Sequence, residues 1–246
     1  MSQTQSCVGI ILAGGTGSRL FPCTKVTNKH LLPIGDMPMI FYPLKKLVGA
    51  GITDIMIVTG TEHMGDFISL LGSGKDFGCR LTYRVQDEAG GIAQALALCE
   101  RFVNGDPMCV ILGDNIFQES ISEMTSTFMN DTNNAYILLK EVHDAERFGV
   151  AELENGIITN IIEKPSVPPS NYAVTGIYCY PPDVFDIIRN CRPSSRGELE
   201  ITDVNNAFVK AQRLRYTSLN EYWSDAGTFA SLAKANELVR AHPVEF

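Results

Sequence analysis

The sequence has 246 residues and lacks the features that define several classes of protein. No apolar run approaches the length of a membrane-spanning helix, about 20 residues. The polar segment Met1–Ser6 lacks the basic start of a signal peptide. We therefore expect no membrane span and no secretory leader. Twenty Lys and Arg against 28 Asp and Glu give a net charge of −8, which argues against nucleic acid or an anionic membrane as a partner.

The cysteines and histidines also lack the spacings of metal sites. The seven cysteines include no Cys-x-x-Cys pair, and we expect most of them to be buried, reduced thiols of a cytoplasmic protein. A zinc site or a thiol nucleophile is the alternative. The four histidines show no His-x-x-x-His spacing, so we expect them to be structural or on the surface. These residues are Cys7, Cys23, Cys79, Cys99, Cys109, Cys179, Cys191, His30, His63, His143 and His242.

The composition is that of an ordinary globular protein, with 45% hydrophobic and 20% charged residues. A chain of this length buries roughly 70–75% of its unfolded surface and needs no disulfide or metal to fold. No linker interrupts it. We predict one domain over residues 1–246, with a first lobe over about 1–130, a second over about 131–246 and a cleft between them.

Strand-like and helix-like segments alternate in the first half, which predicts a parallel sheet with right-handed crossovers. Asp36 and Pro38 predict the N-cap and first turn of a helix that Gly49 and Gly51 end. Ligands of such sheets bind beyond the carboxyl ends of the strands, where we expect the loops 14–19, 86–91 and 113–115. The predicted strands are 8–13, 54–59, 81–85 and 108–112, and the other predicted helices are 64–71 and 91–102.

The second half predicts a mixed, partly antiparallel arrangement. Asn155-Gly156 lies between two β-like runs and is a strong signal for a type I′ hairpin. The predicted strands are 135–142, 150–153, 157–162 and 173–180, and the predicted helices are 183–190, 201–212 and 228–241. The two halves together indicate the α/β class, with a mixed sheet flanked by helices.

A glycine-rich turn, Gly14–Gly17, follows the first strand, and the cations Arg19 and Lys29 follow the turn. Without Cβ atoms, the N–H groups of such a turn can approach phosphate oxygens, which the two cations can also bind. The turn matches neither a Walker A loop nor a dinucleotide fingerprint, because Leu20 stands where the third glycine of the fingerprint would be. A plain turn with exposed charges is the alternative.

Four other charged residues lie at the ends of strands or helices. Asp114 follows an apolar strand and Asp225 precedes the last predicted helix, positions suited to a phosphate-bound Mg²⁺. Alone, Asp114 is equally a turn residue, and Asp225 is more simply the N-cap of that helix. Glu163 and Lys164 end a strand, where they can bind sugar hydroxyls and a phosphate, or form a solvated ion pair.

Taken together, these motifs resemble the sugar-1-phosphate nucleotidyltransferases, and among them most closely the short glucose-1-phosphate thymidylyltransferases. The matching segments follow the order of that family and cover nearly the whole chain. Each is weak alone, and the combination is specific. The segments are Gly9–Leu20, Asn28–Pro33, Pro38–Ile40, Val85-Gln86, Gly91–Ala95, Leu112–Asn115, Phe148–Val150, Glu163–Pro165, Tyr172–Gly176, Gly197–Asp203 and Trp223–Thr228.

The resemblance implies a Rossmann-like nucleotidyltransferase fold, with a nucleotide-binding first lobe and a sugar-binding second lobe. It implies Mg²⁺-dependent transfer of a nucleotidyl group from dTTP to glucose 1-phosphate. The products would be pyrophosphate and dTDP-glucose, an activated sugar for carbohydrate biosynthesis in the cytoplasm. It also implies a homo-oligomer, a dimer or a tetramer.

The resemblance assigns roles by position in this sequence. Catalytic roles fall to Arg19 and Lys29, and Mg²⁺ binding falls to Asp114 and Asp225. Nucleotide binding is implied for Leu12, Gly14, Gly15, Gly17, Gln86, Gly91 and Asp114. Sugar-phosphate binding is implied for Gly149, Glu163, Lys164, Val174 and Arg196.

Three features depart from the family pattern. Met37 replaces the usual lysine, His30 replaces the commonest glutamine, and the sequence ends at Phe246 without the helical extension of longer members. Those members use the extension for a regulatory site, so feedback regulation is left open.

Three alternatives for function remain. The first is the same reaction with UTP, or with another sugar 1-phosphate such as N-acetylglucosamine 1-phosphate. The others are a non-catalytic regulatory homologue that binds nucleotide sugars, and a nicotinamide-binding protein.

Overall fold

The computed structural model describes residues 6–244 and 246. The expected absence of a leader over Met1–Ser6 concerns residues that, Ser6 apart, lie outside this described part. No helix of the described part is long and apolar enough to cross a membrane. The strands are β1 Val8–Ala13, β2 Pro33–Ile34, β3 Met37–Pro38, β4 Asp54–Gly60, β5 Arg80–Gln86, β6 Met108–Leu112, β7 Asn115–Phe117, β8 Ala135–Glu141, β9 Gly149–Glu154, β10 Ile157–Glu163, β11 Tyr172–Tyr180, β12 Leu214–Ser218 and β13 Trp223–Asp225. The helices are α1 Phe41–Gly49, α2 Met64–Leu71, α3 Ile92–Ala97, α4 Glu100–Val103, α5 Ser122–Met129, α6 Val184–Asn190, α7 Ile201–Lys210 and α8 Phe229–Ala241.

The chain divides into two compact units, each assembled from separate stretches of sequence. Of the described residues, we call 8–89, 111–122, 221–244 and 246 the N-terminal unit, and 6–7, 90–110 and 123–220 the central unit. Each unit contains both helices and strands. The α/β class expected from the alternating pattern is therefore present in both.

Three parallel strands of the N-terminal unit, β1, β4 and β5, lie side by side in that order. The apolar runs of β1 and β4 are buried along their length, and Ile10 and Ile57 are fully buried, as expected of parallel strands covered on both faces. The register pairs Ala13 with Thr59 and Gly60 with Gln86. The carboxyl ends of the three strands therefore lie at one edge, and the predicted parallel arrangement is confirmed.

Helix α1 begins later than the sequence predicts. Pro38 lies in β3 and pairs with Pro33 across a hairpin that contains Gly35, whose φ is 63°. The helix starts at Phe41, so Asp36 and Pro38 neither cap nor begin it. The prediction was wrong because proline suits a first helical turn and a short extended segment alike, and strand pairing decided between them.

The helix predicted over residues 91–102 is two short helices, α3 and α4. Between them the Cys99 N–H donates to the Leu96 carbonyl oxygen, 2.9 Å away. This is the tighter i→i+3 turn of a 3₁₀ helix, which interrupts the α-helical bonding. The apolar periodicity continues through the turn, so the pattern alone did not reveal it.

A short antiparallel pair, β7–β13, was not predicted from the sequence. Each strand has three residues, too few for a periodicity signal, and the register sets Asn115 opposite Asp225. Burial of apolar side chains holds the pair in place, because Ile116 of β7 and Ala226, which directly follows β13, belong to one core cluster of the N-terminal unit. The buried members of this cluster are Ile34, Met39, Tyr42, Ile116, Ala226 and Ala235.

The central unit contains the predicted hairpin, formed by β9 and β10. Asn155 and Gly156 have φ angles of 51° and 76°, the two left-handed values that a type I′ turn requires. β11 pairs antiparallel with β8 and β9, and β8 pairs parallel with β12. The mixed arrangement expected of the second half is confirmed, with β12 as a strand that was not predicted.

The cysteines are less buried than expected. All seven are free, but only Cys99, Cys109 and Cys179 are buried, and Cys23 is exposed. The expectation that most are buried was wrong because the other three lie just outside the elements they adjoin. These are Cys7 before β1, Cys79 before β5 and Cys191 after α6.

Helix α8 begins with a reciprocal cap. The Thr228 side chain accepts from the Ser231 N–H, 3.1 Å away, and the Ser231 hydroxyl accepts from the Thr228 N–H, 3.0 Å away. Thr228, and not Asp225, is therefore the N-cap of this helix.

We predict that Thr228→Ala lowers the free energy of unfolding by about 1 kcal/mol, the usual worth of such a cap. Thr228→Ser keeps the hydroxyl and should change the free energy by only a few tenths. Urea denaturation of both variants measures the difference. Equal losses in the two variants would contradict the capping role.

Candidate active site

The glycine-rich turn leaves β1 in a conformation that favours glycine. Gly15 and Gly17 have φ angles of 93° and 62°, left-handed values that residues with a Cβ rarely adopt. The Thr24 hydroxyl donates to the Gly17 carbonyl oxygen, 2.8 Å away, and so holds the turn. A Cβ at Gly14 would lie 2.6 Å from Gln86 Oε1. The turn therefore passes directly beside Gln86.

Arg19 and Asp225 approach the same point of the chain. Arg19 is exposed in a 3₁₀ turn, Ser18–Leu20, that follows the glycines. The Arg19 Nη2 and the Asp225 Oδ2 lie 2.9 Å and 3.2 Å from the position that a Cβ would take at Gly227. The glycine at 227 leaves room for both groups, so a cation and a carboxylate distant in sequence share one location.

Lys29 and Asp114 form an ion pair. Lys29 Nζ lies 2.5 Å from Asp114 Oδ2, and the two side chains are only 14% and 15% exposed. Burial acts to raise the pKa of Asp114, but the Lys29 charge and the hydrogen bonds from Lys29 and Asn115 outweigh it and hold that pKa well below its usual value. The Asp114 carboxylate is therefore ionised at neutral pH.

The β7–β13 pair sets the two predicted metal ligands side by side. Asp225 lies opposite Asn115, and the Ala226 N–H donates to the Asp114 carbonyl oxygen, 2.9 Å away. Two carboxylates completed by phosphate oxygens and water suit Mg²⁺, so Asp114 and Asp225 fit a divalent cation. Within residues 6–244 and 246, no group of three or more His, Cys, Asp or Glu residues is arranged to hold a metal.

A cavity of about 240 Å³ adjoins the glycine-rich turn. Its wall includes Gly15 and Thr16 of the turn, Asn28 before the ion-paired lysine, and Gln86 at the end of β5. Gln86 is largely buried and presents both an amide donor and an acceptor, which suits recognition of the edge of a base. Leu12 is buried within β1, just before the turn.

His30 is buried beside the turn that leads to Asp114. Its Nδ1 lies 2.7 Å from Asn28 Oδ1, which also accepts the His30 backbone N–H. Burial and the Lys29 charge lower the pKa of His30 to about 3, so the imidazole is neutral at physiological pH. A Cβ at Gly113 would lie 2.7 Å from the His30 ring, so the ring packs closely against the turn that leads to Asp114.

In the central unit, Glu163 is the centre of a polar cluster. Its Oε2 accepts a hydrogen bond of 2.6 Å from the Thr202 hydroxyl. Its Oε1 lies 3.4 Å from Lys164 Nζ and 3.3 Å from Arg196 Nη2. Gly149 is opposite Glu163 in the β9–β10 register, where an added Cβ would be 3.4 Å from Glu163 Oε2. The cluster thus contains four of the five residues predicted to bind the sugar phosphate.

Local backbone conformation explains why the side chains of Glu163 and Lys164 lie close to each other. Neighbouring strand residues point to opposite faces, but Lys164 lies just beyond β10 with a φ of 43°. This left-handed residue allows the lysine ammonium to return toward Glu163. Thr202 was not singled out from the sequence, although it lies in the matched segment Gly197–Asp203.

The other predicted residues of the central unit have different surroundings. Val174 is half-buried in β11, paired with Leu139. Gly91 has a φ of 99°, and a Cβ there would lie 2.5 Å from the Leu199 carbonyl oxygen. Gly91 thus packs against the backbone of the 191–200 loop. The functional roles of all these residues stay predictions.

A model of the family described as nucleotidyl transferase matches residues 8–242. The chain belongs to the nucleotidyl transferase family. This membership confirms the resemblance drawn from the motifs, the mixed α/β nucleotidyltransferase fold and the prediction of an enzyme. Members of the family generally use a divalent metal, with which the pair of carboxylates is compatible.

Several relatives of this nucleotidyl transferase are named glucose-1-phosphate thymidylyltransferase. A glucose-1-phosphate thymidylyltransferase of Neisseria meningitidis is 42% identical over 236 residues, 94% of this chain and 82% of that protein. A crystal structure from Bacillus anthracis, provisionally described as a glucose-1-phosphate thymidylyltransferase in complex with sucrose, is 57% identical with a TM-score of 0.93, covering 98% of this chain and 97% of that one. A UDP-glucose pyrophosphorylase complexed with UDP-glucose is 27% identical with a TM-score of 0.84, covering 96% of this chain and 99% of that one.

We predict that Gly227→Ala lowers the turnover of this nucleotidyl transferase about 10- to 100-fold, because a displacement of about 1 Å can cost that much. The added Cβ would displace the Arg19 guanidinium, the end of a flexible side chain, so the fold should persist. Pyrophosphate release measures turnover. The control, Gly65→Ala in α2, has open space around the new Cβ, and equal activity of both variants would contradict the prediction.

Proposed function

We propose that the protein transfers a thymidylyl group from dTTP to glucose 1-phosphate, giving dTDP-glucose and pyrophosphate. The observation that carries the proposal is the convergence of Arg19, Lys29, Asp114 and Asp225 in the N-terminal unit, beside a glycine-rich turn. The relatives from Neisseria and Bacillus are described as glucose-1-phosphate thymidylyltransferases. The names of these relatives indicate which substrates this arrangement of charges would bind.

The chemical obstacle in this reaction is the repulsion between two anions. An oxygen of the sugar phosphate attacks the α-phosphorus of dTTP in line with the departing pyrophosphate, which leaves with the electron pair of the broken P–O bond. The nucleophile is already an anion, so the reaction needs no general base. Positioning and electrostatic stabilisation therefore account for most of the catalysis.

We assign the work on the triphosphate to the N-terminal unit. The N–H groups of Gly14, Gly15 and Gly17 would bind phosphate oxygens, since no side chain obstructs the turn. Arg19 would bind the α-phosphate, because its guanidinium is exposed whereas the Lys29 side chain is mostly buried. Lys29 would assist once phosphate oxygens compete with Asp114 for its ammonium.

We propose Mg²⁺ as the divalent cation, held by Asp114 and Asp225. The carboxylate pair is a hard oxygen donor set, which favours Mg²⁺ over metals that prefer nitrogen or sulfur. When bound, Mg²⁺ supplies positive charge to the triphosphate oxygens. Asp114 is ionised before any ligand arrives, since its pKa is held well below the usual value.

Recognition of the base and the sugar is assigned to the remaining predicted residues. Gln86 would read the pyrimidine edge, with Gly91 against the base and Leu12 close to the nucleotide. Glu163 would accept hydrogen bonds from glucose hydroxyls, an orientation that its bond from Thr202 supports. The other predicted contacts are Gly149 and Val174 to the glucosyl ring, and Lys164 and Arg196 to the sugar phosphate.

The choice of nucleotide and sugar is tested by a panel of nucleoside triphosphates against sugar 1-phosphates, scored by Mg²⁺-dependent release of pyrophosphate. We expect the highest kcat/KM for dTTP with glucose 1-phosphate. UTP is the competing nucleotide, because Gln86 suits uracil and thymine alike and the fold matches a UDP-glucose pyrophosphorylase.

We also propose a homo-oligomer that works in the cytoplasm, where the seven free thiols stay reduced.

We predict that Arg19→Ala lowers kcat at least 10²- to 10³-fold, the usual cost of removing one preorganised group that stabilises a transition state. Arg19 is exposed, so the variant should stay folded. Arg101→Ala, at an exposed position in α4, is the control for loss of a surface arginine. A decrease of less than tenfold in the Arg19 variant would count against its role at the α-phosphate.

We predict that Asp225→Asn abolishes activity or its dependence on Mg²⁺, because the amide is a weaker and neutral ligand. The Mg²⁺ concentration that gives half-maximal pyrophosphate release measures the effect. Glu237→Gln in α8 removes one negative charge from the same unit and serves as the control. Full activity of Asp225→Asn with a normal Mg²⁺ titration would refute the assignment.

A further inference from the structure

The side chain of Asn115 lies between Asp114 and the only tryptophan of the chain. Asn115 is 3% exposed and Trp223 is 6% exposed. Trp223 Nε1 donates to Asn115 Oδ1 over 2.7 Å, and Asn115 Nδ2 donates to Asp114 Oδ1 over 3.1 Å. A chain of hydrogen bonds therefore runs from a buried indole to a proposed ligand of Mg²⁺.

The chemistry of the partners determines which way the Asn115 amide points. An indole nitrogen can only donate, and an ionised carboxylate can only accept. The Asn115 oxygen must therefore face Trp223, and its NH₂ group must face Asp114. Because the reversed amide would lose both bonds, Trp223 fixes Asn115, and Asn115 in turn presents a donor to Asp114.

The two oxygens of Asp114 consequently have different partners. Oδ1 accepts from Asn115 and Oδ2 accepts from Lys29. Asn115 is also the residue opposite Asp225 in the β7–β13 pair. Through its side chain it contacts the Asp114 carboxylate, and in the strand register it lies opposite Asp225.

We propose that Asn115 is a positioning residue that orients the Asp114 carboxylate for Mg²⁺, and that Trp223 orients Asn115. This inference rests on the proposed function, since it concerns how one assigned metal ligand is held. Residues that hydrogen-bond to metal ligands commonly change metal affinity about 10- to 100-fold when they are replaced. Replacing Asn115 should therefore weaken the Mg²⁺-dependent binding of dTTP and leave the binding without Mg²⁺ unchanged.

The test is calorimetric binding of dTTP, without sugar phosphate, in Mg²⁺ and in EDTA. The ratio of the two dissociation constants is the Mg²⁺ enhancement. In Asn115→Leu, which is similar in size but has no amide, we expect this enhancement to fall about tenfold or more, while the dissociation constant in EDTA stays within about twofold of wild type. Trp223→Phe removes the indole donor, together with part of a buried ring, and should lower the enhancement in the same direction by less.

Tyr42→Phe is the matched control, because it removes a different buried hydrogen bond of the same unit, from Tyr42 to the Ile34 carbonyl oxygen. It should leave the Mg²⁺ enhancement unchanged. Trp223 is the single tryptophan, so its fluorescence gives a second readout. In Asn115→Leu the emission should shift to shorter wavelength as the indole loses its hydrogen-bond partner.

The outcomes separate this inference from the proposed function. If wild type binds dTTP more tightly with Mg²⁺ and both variants keep the full enhancement, the positioning role is overturned and the proposed function stands. If a variant binds more weakly in Mg²⁺ and EDTA alike, Asn115 acts on the fold and the inference is overturned. If wild type shows no enhancement by Mg²⁺, the metal assignment and this inference fail together. Should Asn115→Leu not fold, Trp223→Phe still decides the question.

Discussion

Lys29 and Asp114 lie 2.5 Å apart with both side chains mostly buried, so each charge depends on the other for compensation. Removing one partner of a buried pair leaves a charge without solvent and commonly costs about 3–5 kcal/mol. The pair also joins the segment after the glycine-rich turn to the turn that carries Asp114. The cation proposed to bind phosphate and the proposed metal ligand are thereby held in one place by their mutual attraction.

The surrounding residues make this pair compatible with a stable fold. His30 is buried and neutral, so it packs beside Lys29 without adding a second positive charge. Asn115 gives the second Asp114 oxygen a donor. Charges are likewise compensated in the central unit, where Glu163 lies close to Lys164, Arg196 and the Thr202 hydroxyl. In both places the charged groups assigned to ligands are compensated by protein partners in the structure itself.

Most elements could be predicted because their sequence signals are local. The strands β1 and β6 are apolar throughout, β4 contains the apolar run 55–58, and Asn155-Gly156 identifies its turn without any knowledge of the rest of the chain. The β7–β13 pair could not be predicted, since three-residue strands have no periodicity and their pairing depends on the core cluster around Ile116 and Ala226. Pro38 misled the prediction because its preference fits two conformations that tertiary pairing distinguishes.

The residues of the candidate site were found from motifs, but their relations were not. Glycine-rich turns and strand-end carboxylates are recognisable one at a time, whereas the Lys29–Asp114 pair and the approach of Arg19 to Asp225 depend on long-range contacts. His30 and Asn115 gave little signal, because a buried histidine or asparagine is recognisable only from its partners. Family resemblance supplied the assignments that spacing alone left open.

The most direct measurement is a crystal structure of the protein grown with Mg²⁺ and dTTP. We expect one cation bonded to oxygens of both Asp114 and Asp225 at about 2.1 Å, with the triphosphate on the Gly14–Gly17 turn and the Arg19 guanidinium on the α-phosphate. A cation and a triphosphate bound away from these residues, with the two carboxylates left to protein partners alone, would contradict the proposed site.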